Sequence, residues 1–218
     1  MTVARVLPKS LRQSLARCLN WAHAFARELG AIGPEDAEAR KFKYFGPGAA
    51  LLYPQGVLYN ERYIEIGDGT MIGPNTCVTA GMAPTQVMPT DPVISIGKRC
   101  IIGRGSHIIG HWSITIGDDI QTGPYVYITD QNHQYEDLDT PIGRQWPVEA
   151  AVTIGSGSWI GTQVTILPGT TIGEHVVVGA GSVVHGTFPD RCVIAGVPAK
   201  IIKRYREGEG WVSEHHRS

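Results

Sequence analysis

From Ile154 onward an aliphatic residue returns at every sixth position: Ile154, Ile160, Ile166, Ile172, Val178 and Val184. Between them, Gly or another turn-forming residue usually follows the aliphatic one. A small or β-branched residue stands four places on, at Ser158, Val164, Thr170, Val176 and Ser182. Apolar positions recur about every 3.6 residues in a helix and every second residue in a half-buried strand, so neither carries a strict period of six. Such a period predicts very short strands joined by turns, with three units closing one triangular coil. A single unit cannot bury its aliphatic side chain, but stacked coils turn lone Ile and Val residues into interior ladders. Gly after the aliphatic residue is expected to serve a corner that needs backbone angles a Cβ forbids.

The register returns upstream in three runs, Ile66–Ala83, Ile96–Ser113 and Ile116–His133, with Ile114 and Thr115 reading as a two-residue insertion. Five coils are recognisable, and Gly48–Glu65 is expected to form an irregular sixth. Two stretches break the pattern. Pro84–Ser95 contains Pro84, Pro89 and Pro92, and Gln134–Thr153 contains Pro141, Gly143 and Pro147. Loops that leave one face of a rigid stack are expected to carry the binding function.

Ahead of the coils, Leu11, Leu15, Cys18, Leu19, Ala22, Phe25 and Leu29 fall at helical spacing. Gly30 and Gly33–Pro34 stop the pattern, with Ser10 as the expected cap and a second short helix near Pro34–Lys41. This stripe is expected to pack on the end of the stack or on a neighbouring subunit. A basic membrane-surface helix is the alternative, set second because few cations flank the stripe. Arg12, Arg17 and Arg27 interrupt any apolar run, so the segment reads neither as a signal peptide nor as a stable membrane insertion. Three parts follow: a helical segment at 1–45, the coils at 46–200 with loops at 84–95 and 134–153, and a polar C-terminal tail at 201–218, expected to be mobile after Tyr205.

Composition narrows the function classes. The chain has 218 residues, with 19 Lys and Arg against 20 Asp and Glu, which suits one domain with additions and offers no basic footprint for nucleic acid. Cys18, Cys77, Cys100 and Cys192 lack metal-ligand or disulfide-framework spacing. They read as reduced thiols of a cytoplasmic protein.

Three motifs then carry a resemblance: TDQNH at Thr129–His133, WIGTQVTILPGTTIG at Trp159–Gly173, and VGAGSVV at Val178–Val184 with AGVPAKIIKRY at Ala195–Tyr205. Over roughly Gly46–Tyr205 the chain resembles the hexapeptide-repeat, left-handed β-helix acyltransferases, in their sugar O-acyltransferase branch. Left-handedness is implied by the resemblance alone, since the general rule for β crossovers predicts the opposite hand. The resemblance implies a homotrimer with sites between subunits. It implies acetyl-CoA or succinyl-CoA as donor, and as acceptor a sugar hydroxyl of a bacterial oligosaccharide, polysaccharide or glycolipid precursor. No permanently bound cofactor or metal is implied.

Acyl transfer to a hydroxyl needs a base and donors for the developing oxyanion. By resemblance His133 is the base and the backbone N–H of Thr162 the oxyanion donor, with Asp130 or Glu136 as a carboxylate to fix the histidine tautomer. Trp159, Gly161, Gly179, Ala180 and Gly181 are expected along the pantetheine arm, and Lys200, Lys203 and Arg204 at the nucleotide phosphates. Asn132, Arg144, His107 and His111 are candidate acceptor contacts. Arg104, His107, His111 or Arg144 would receive the second carboxylate of a succinyl donor.

Plainer readings stand beside these: His133 as a solvated loop histidine, His107 and His111 as hydrogen-bonding residues on an outer face or near the cleft, His175 and His185 as surface residues, Trp159 as packing between subunits, and the three cations as solubilising charge. Two other functions share the fold. One is a zinc hydratase of the γ-carbonic-anhydrase type, which needs His107, His111 and His133 to converge. The other is a non-catalytic β-helix scaffold.

Overall fold

A computed structural model describes residues 7–214. The short strands stack into three parallel sheets that form the faces of a triangular solenoid. The first face carries seven strands, from Tyr44–Phe45 to Thr187–Phe188. The third carries six, from Leu58–Tyr59 to Val183–Val184. The second begins at Ala50–Leu51, reaches Cys192–Gly196, and is then extended by two antiparallel strands, Ala199–Arg206 and Gly210–Ser213. Six full coils result, with two sides of a seventh, and Gly48–Glu65 belongs to the first of them.

The aliphatic residues at the sixfold positions form the core. Ile66, Ile96, Ile116, Ile154, Ile172 and Phe188 lie in register on the first face, all buried. Ile114 and Thr115 are not an insertion. Ile64, Ile94, Ile114 and Val152 form a second buried ladder on that face, where strands run three residues as aliphatic, polar, aliphatic. The small polar residues four places on are buried yet satisfied. Ser182 Oγ, for instance, donates to Gly179 O at 2.6 Å and accepts from Gly196 N at 3.1 Å, so its hydroxyl stitches adjacent coils.

Glycine after the aliphatic residue has a different cause from the one expected. Gly67, Gly103 and Gly161 do not have positive φ. A Cβ on Gly103 would instead sit 2.3 Å from the carbonyl oxygen of Gly123, and one on Gly161 2.6 Å from the amide nitrogen of Ala180. The corners nest so closely that only hydrogen fits. Positive φ falls two residues later, at Gly69, Gly157 and Gly181, and also at Arg99, Asp119 and Gln163.

Both chain ends differ from expectation. Helix α1 (Lys9–Leu29) starts after Pro8 without a side-chain cap, so Ser10 lies inside its first turn, and none of its residues is buried. The stripe does not pack on the end of the stack. Near Pro34–Lys41 only Ala39–Lys41 winds into a 3-10 turn. At the other end the described part of the tail, to Glu214, is paired. Lys203–Arg206 pairs with Gly210–Ser213, and Arg204 Nε lies 3.3 Å from Glu214 Oε1.

Candidate active site

Both loops leave the solenoid at the corner between the third and first faces. The second is longer and carries its own antiparallel hairpin, in which Gln131 pairs with Glu149 and Asn132 with Val148. His133 follows directly. It is exposed, with no hydrogen-bond or ion-pair partner among the described residues, and it lines two adjoining cavities. One, of about 190 Å³, is bounded by Met82, Tyr127, Thr129, Gln131 and Pro147; the other, of about 250 Å³, by Tyr135, Glu136, Ala150, Pro168 and His185. Asn132 and Leu167 line both.

The groove continues. His185 also borders a third cavity of about 380 Å³, where Lys200 and Arg204 lie with Thr187 and Phe188. His133 therefore connects through His185 to a cationic end. His185 was expected to be plain surface, and its place in the groove comes from the coil register, which sets it at the same corner as Leu167, one coil on. Lys203 does not line this groove; its strand partners are Val193 and Ser213.

The partner expected for His133 lies elsewhere. Asp130 is fully buried, and its two carboxylate oxygens accept backbone N–H groups of His111 (2.8 Å), Trp112 (2.9 Å) and Ser113 (2.7 Å). Burial pushes its pKa up from the ordinary value, while the three N–H donors act the other way. Asp130 thus fastens the start of the second loop to the coil below and does not orient His133. Glu136 sits in the same cavity as His133, where its Oε2 accepts the Tyr135 N–H at 3.1 Å.

Of the two placements expected for His111, an outer face or a hydrogen-bonding position near the cleft, the second holds: it is 2 % exposed. Its Nδ1 bonds Glu149 Oε1, and its Nε2 lies 3.0 Å from Gln86 Nε2. Gln86 Oε1 already accepts the Met82 N–H at 2.9 Å, so the amide NH2 faces the ring. Nε2 must then accept, and the proton sits on Nδ1 toward Glu149. Trp146 stands edge-on to the imidazole, with centroids 5.9 Å apart. With both nitrogens engaged, His111 cannot join His107 and His133 around a metal. His107 lies on the third face against Tyr127, with ring centroids 6.4 Å apart.

The other expected residues fall on a different edge. Trp159, Gly161, Thr162, Gly179, Ala180 and Gly181 stand at or beside the corner between the second and third faces, away from the cavities around His133. Thr162 Oγ1 donates to Pro124 O at 2.8 Å, and its backbone N–H has no acceptor among the described residues. Arg144 is exposed on the second loop, and Arg104 lies over the Tyr125 ring at 5.8 Å. Gln131 escaped the sequence reading. Its Oε1 is buried beside His133 without a hydrogen-bond partner among the described residues.

Two segments match known repeat families: residues 151–186 the bacterial transferase hexapeptide (six repeats), and residues 93–129 the hexapeptide repeat of succinyl-transferase. The chain is 48% identical over 106 residues to the putative lipopolysaccharide biosynthesis O-acetyl transferase WbbJ of Escherichia coli, covering 45% of this chain and 54% of that protein. It is 34% identical over 140 residues to the probable acetyltransferase Rv3034c of Mycobacterium tuberculosis, covering 64% and 44%. The chain thus spans about half the length of these two relatives. In fold it is similar to AntD, an N-acyltransferase from Bacillus cereus solved with dTDP and coenzyme A, at a TM-score of 0.68 and 20% identity, covering 82% of this chain and 92% of that one. The three stacked parallel sheets are those of a left-handed β-helix.

Proposed function

We propose that this chain, which belongs to the hexapeptide-repeat transferases, moves an acetyl or succinyl group from coenzyme A to a sugar hydroxyl of a bacterial glycan or glycolipid precursor. The observation that carries this reading is the groove running from His133 past His185 to Lys200 and Arg204. A free imidazole at one end and cations at the other match a thioester on a long arm that ends in phosphates. WbbJ, named as an O-acetyl transferase of lipopolysaccharide biosynthesis, supports the acceptor class.

In this mechanism a ring nitrogen of His133 takes the proton of the acceptor hydroxyl as its oxygen attacks the thioester carbonyl. The tetrahedral oxyanion accepts a backbone N–H, collapses to the ester, and expels the coenzyme A thiolate, which recovers the proton from His133. Thr162 offers the uncommitted N–H but stands on another corner of the same chain. The site is therefore completed between copies, His133 from one and Thr162 from the next, in a homotrimer. Asn132 and Gln131 hold the acceptor beside the base.

The test is to incubate the purified chain with acetyl-CoA or succinyl-CoA and a panel of bacterial oligosaccharides, and to read the mass added to each glycan. Transfer of one acyl group, lost in His133→Ala, is expected. Thioester turnover on no acceptor, or full activity in His133→Ala, would overturn the reading.

A further inference from the structure

Among the described residues, helix α1 is fastened to the solenoid only at its end. Gln55 Nε2 donates to Gly30 O at 2.7 Å, and Ile32 and Leu51 exchange both backbone bonds at 2.9 Å. A Cβ on Gly30 would meet the Tyr53 ring at 2.5 Å, so the helix can end this close only on glycine. Beyond this joint its twenty-one residues bury nothing against the chain. Leu19, Trp21 and Leu29 are 69%, 68% and 73% exposed.

At about 3.6 residues per turn, one arc holds Trp21, Ser14, Phe25, Cys18, Leu11, Leu29, Ala22, Leu15, Ala26 and Leu19 in angular order, Ser14 being its one polar member. Past the Trp21 edge come Ser10 and Glu28 and then Arg17, and past the Leu19 edge comes Arg12, with Lys9 and Arg27 opposite. The helix holds these four cations and a single acid, Glu28, a net charge of +3. The whole chain is −1, so the remainder carries −4. Charge is segregated onto the one element whose apolar face is uncovered.

We infer that helix α1 lies in the plane of an anionic lipid surface, with its leucine, Phe25 and Trp21 face among the acyl chains. Arginines at both edges reach the headgroups while their stems stay on the apolar face. Trp21, stacked on Phe25 at 5.4 Å, stands at the border where an indole prefers to sit. A second copy of the helix is a poorer cover, because it would bring the same arginine edges together with only Glu28 to offset them. The helix does not cross the bilayer: among the described residues none is long and apolar enough. Docking would set the first coil against the membrane and keep the loops within reach of a membrane-held acceptor.

Full-length protein is sedimented with vesicles of 70:30 phosphatidylcholine and phosphatidylglycerol (about three-tenths anionic lipid) and with phosphatidylcholine alone. Binding to the anionic vesicles is expected, with a drop of about tenfold or more on pure phosphatidylcholine or in about 1 M salt, where screening acts within about 3 Å. Leu15→Glu with Leu19→Glu should abolish binding and leave thermal unfolding unchanged, since neither side chain packs on the solenoid. Arg12→Gln with Arg17→Gln keeps the apolar face and should lose only the anionic preference. Absence of vesicle binding by the wild type overturns the inference. So does binding equal on both lipids, or a fall in light-scattering mass in the leucine variant, which would assign the face to a second copy.

Discussion

The Nδ1–H of His111 donates to the carboxylate of Glu149, a bond that joins the coil to the second loop from inside the protein. Gln86 of the first loop holds the other ring nitrogen, so one buried imidazole ties both loops to the solenoid. Glu149 is the ladder partner of Gln131, two residues before His133. Glu149→Ala leaves the ring N–H buried without an acceptor, a loss of about 1–3 kcal/mol. Thermal unfolding should show it, and limited proteolysis should cut between Gln134 and Pro147 sooner than in the wild type. An unchanged cleavage rate would mean that the loop is held elsewhere.

His133 and Asp130 sit three residues apart and should fail in opposite ways. His133 packs on little, so His133→Ala should hold stability to within about 0.5 kcal/mol while transfer falls about 10²–10⁴-fold. Asp130→Asn turns an amide NH2 toward at least one of the three backbone donors and should cost about 1–3 kcal/mol. Denaturant unfolding beside an acyl-transfer assay separates the two. Asp130→Asn at full stability would contradict its role as an anchor.

Two glycines report on the corners. Gly103→Ala forces a methyl into the carbonyl of the next coil and should cost about 1–3 kcal/mol. Gly181→Ala meets nothing within 4 Å, but φ is 71°, so the cost should be nearer about 1 kcal/mol. Urea midpoints of the two variants test the order.

Acid should weaken the fold through paired surface carboxylates. The Arg99 guanidinium, at 2.7 and 2.6 Å, holds Asp119 below its usual range; the Tyr44 hydroxyl and then Lys98 do so for Asp68. Because these folded pKa values are depressed, the unfolded chain takes up protons first. The stabilisation is present above about pH 4 and lost as pH falls through the folded values. Asp130 opposes this, since its raised pKa means that protonation relieves a buried charge. The melting temperature should therefore drop as pH falls below about 4, and less steeply in Asp119→Asn. Equal slopes would remove that pair from the account.

The period of six made the ladders legible because each coil repeats the same local demand, an aliphatic residue inward and a turn after it. It also marked where the register stops, which is where His133 stands. What the period hid is non-local. Nothing near His111 in the chain names Glu149, thirty-eight residues away, and nothing near Asp130 announces three amides from the coil below. The glycine positions were visible but their cause was not, since a clash with the next corner exists only once the coils are stacked. His185 and Gln131 were missed likewise, because a groove is a property of neighbouring coils.

The second loop also sets how the solenoid closes on itself. Thr153 pairs with Thr171, eighteen residues on, whereas Ile114 pairs with Val152, thirty-eight on. Closing a segment twice as long costs about 0.6 kcal/mol more in chain entropy. A stack of coils can nucleate anywhere and propagate from coil to coil, and this junction is a costlier step than that from Thr153 to Thr171. The bond from His111 to Glu149 and the amides around Asp130 lie on that seam. They are the contacts that join the two halves beside the groove at His133.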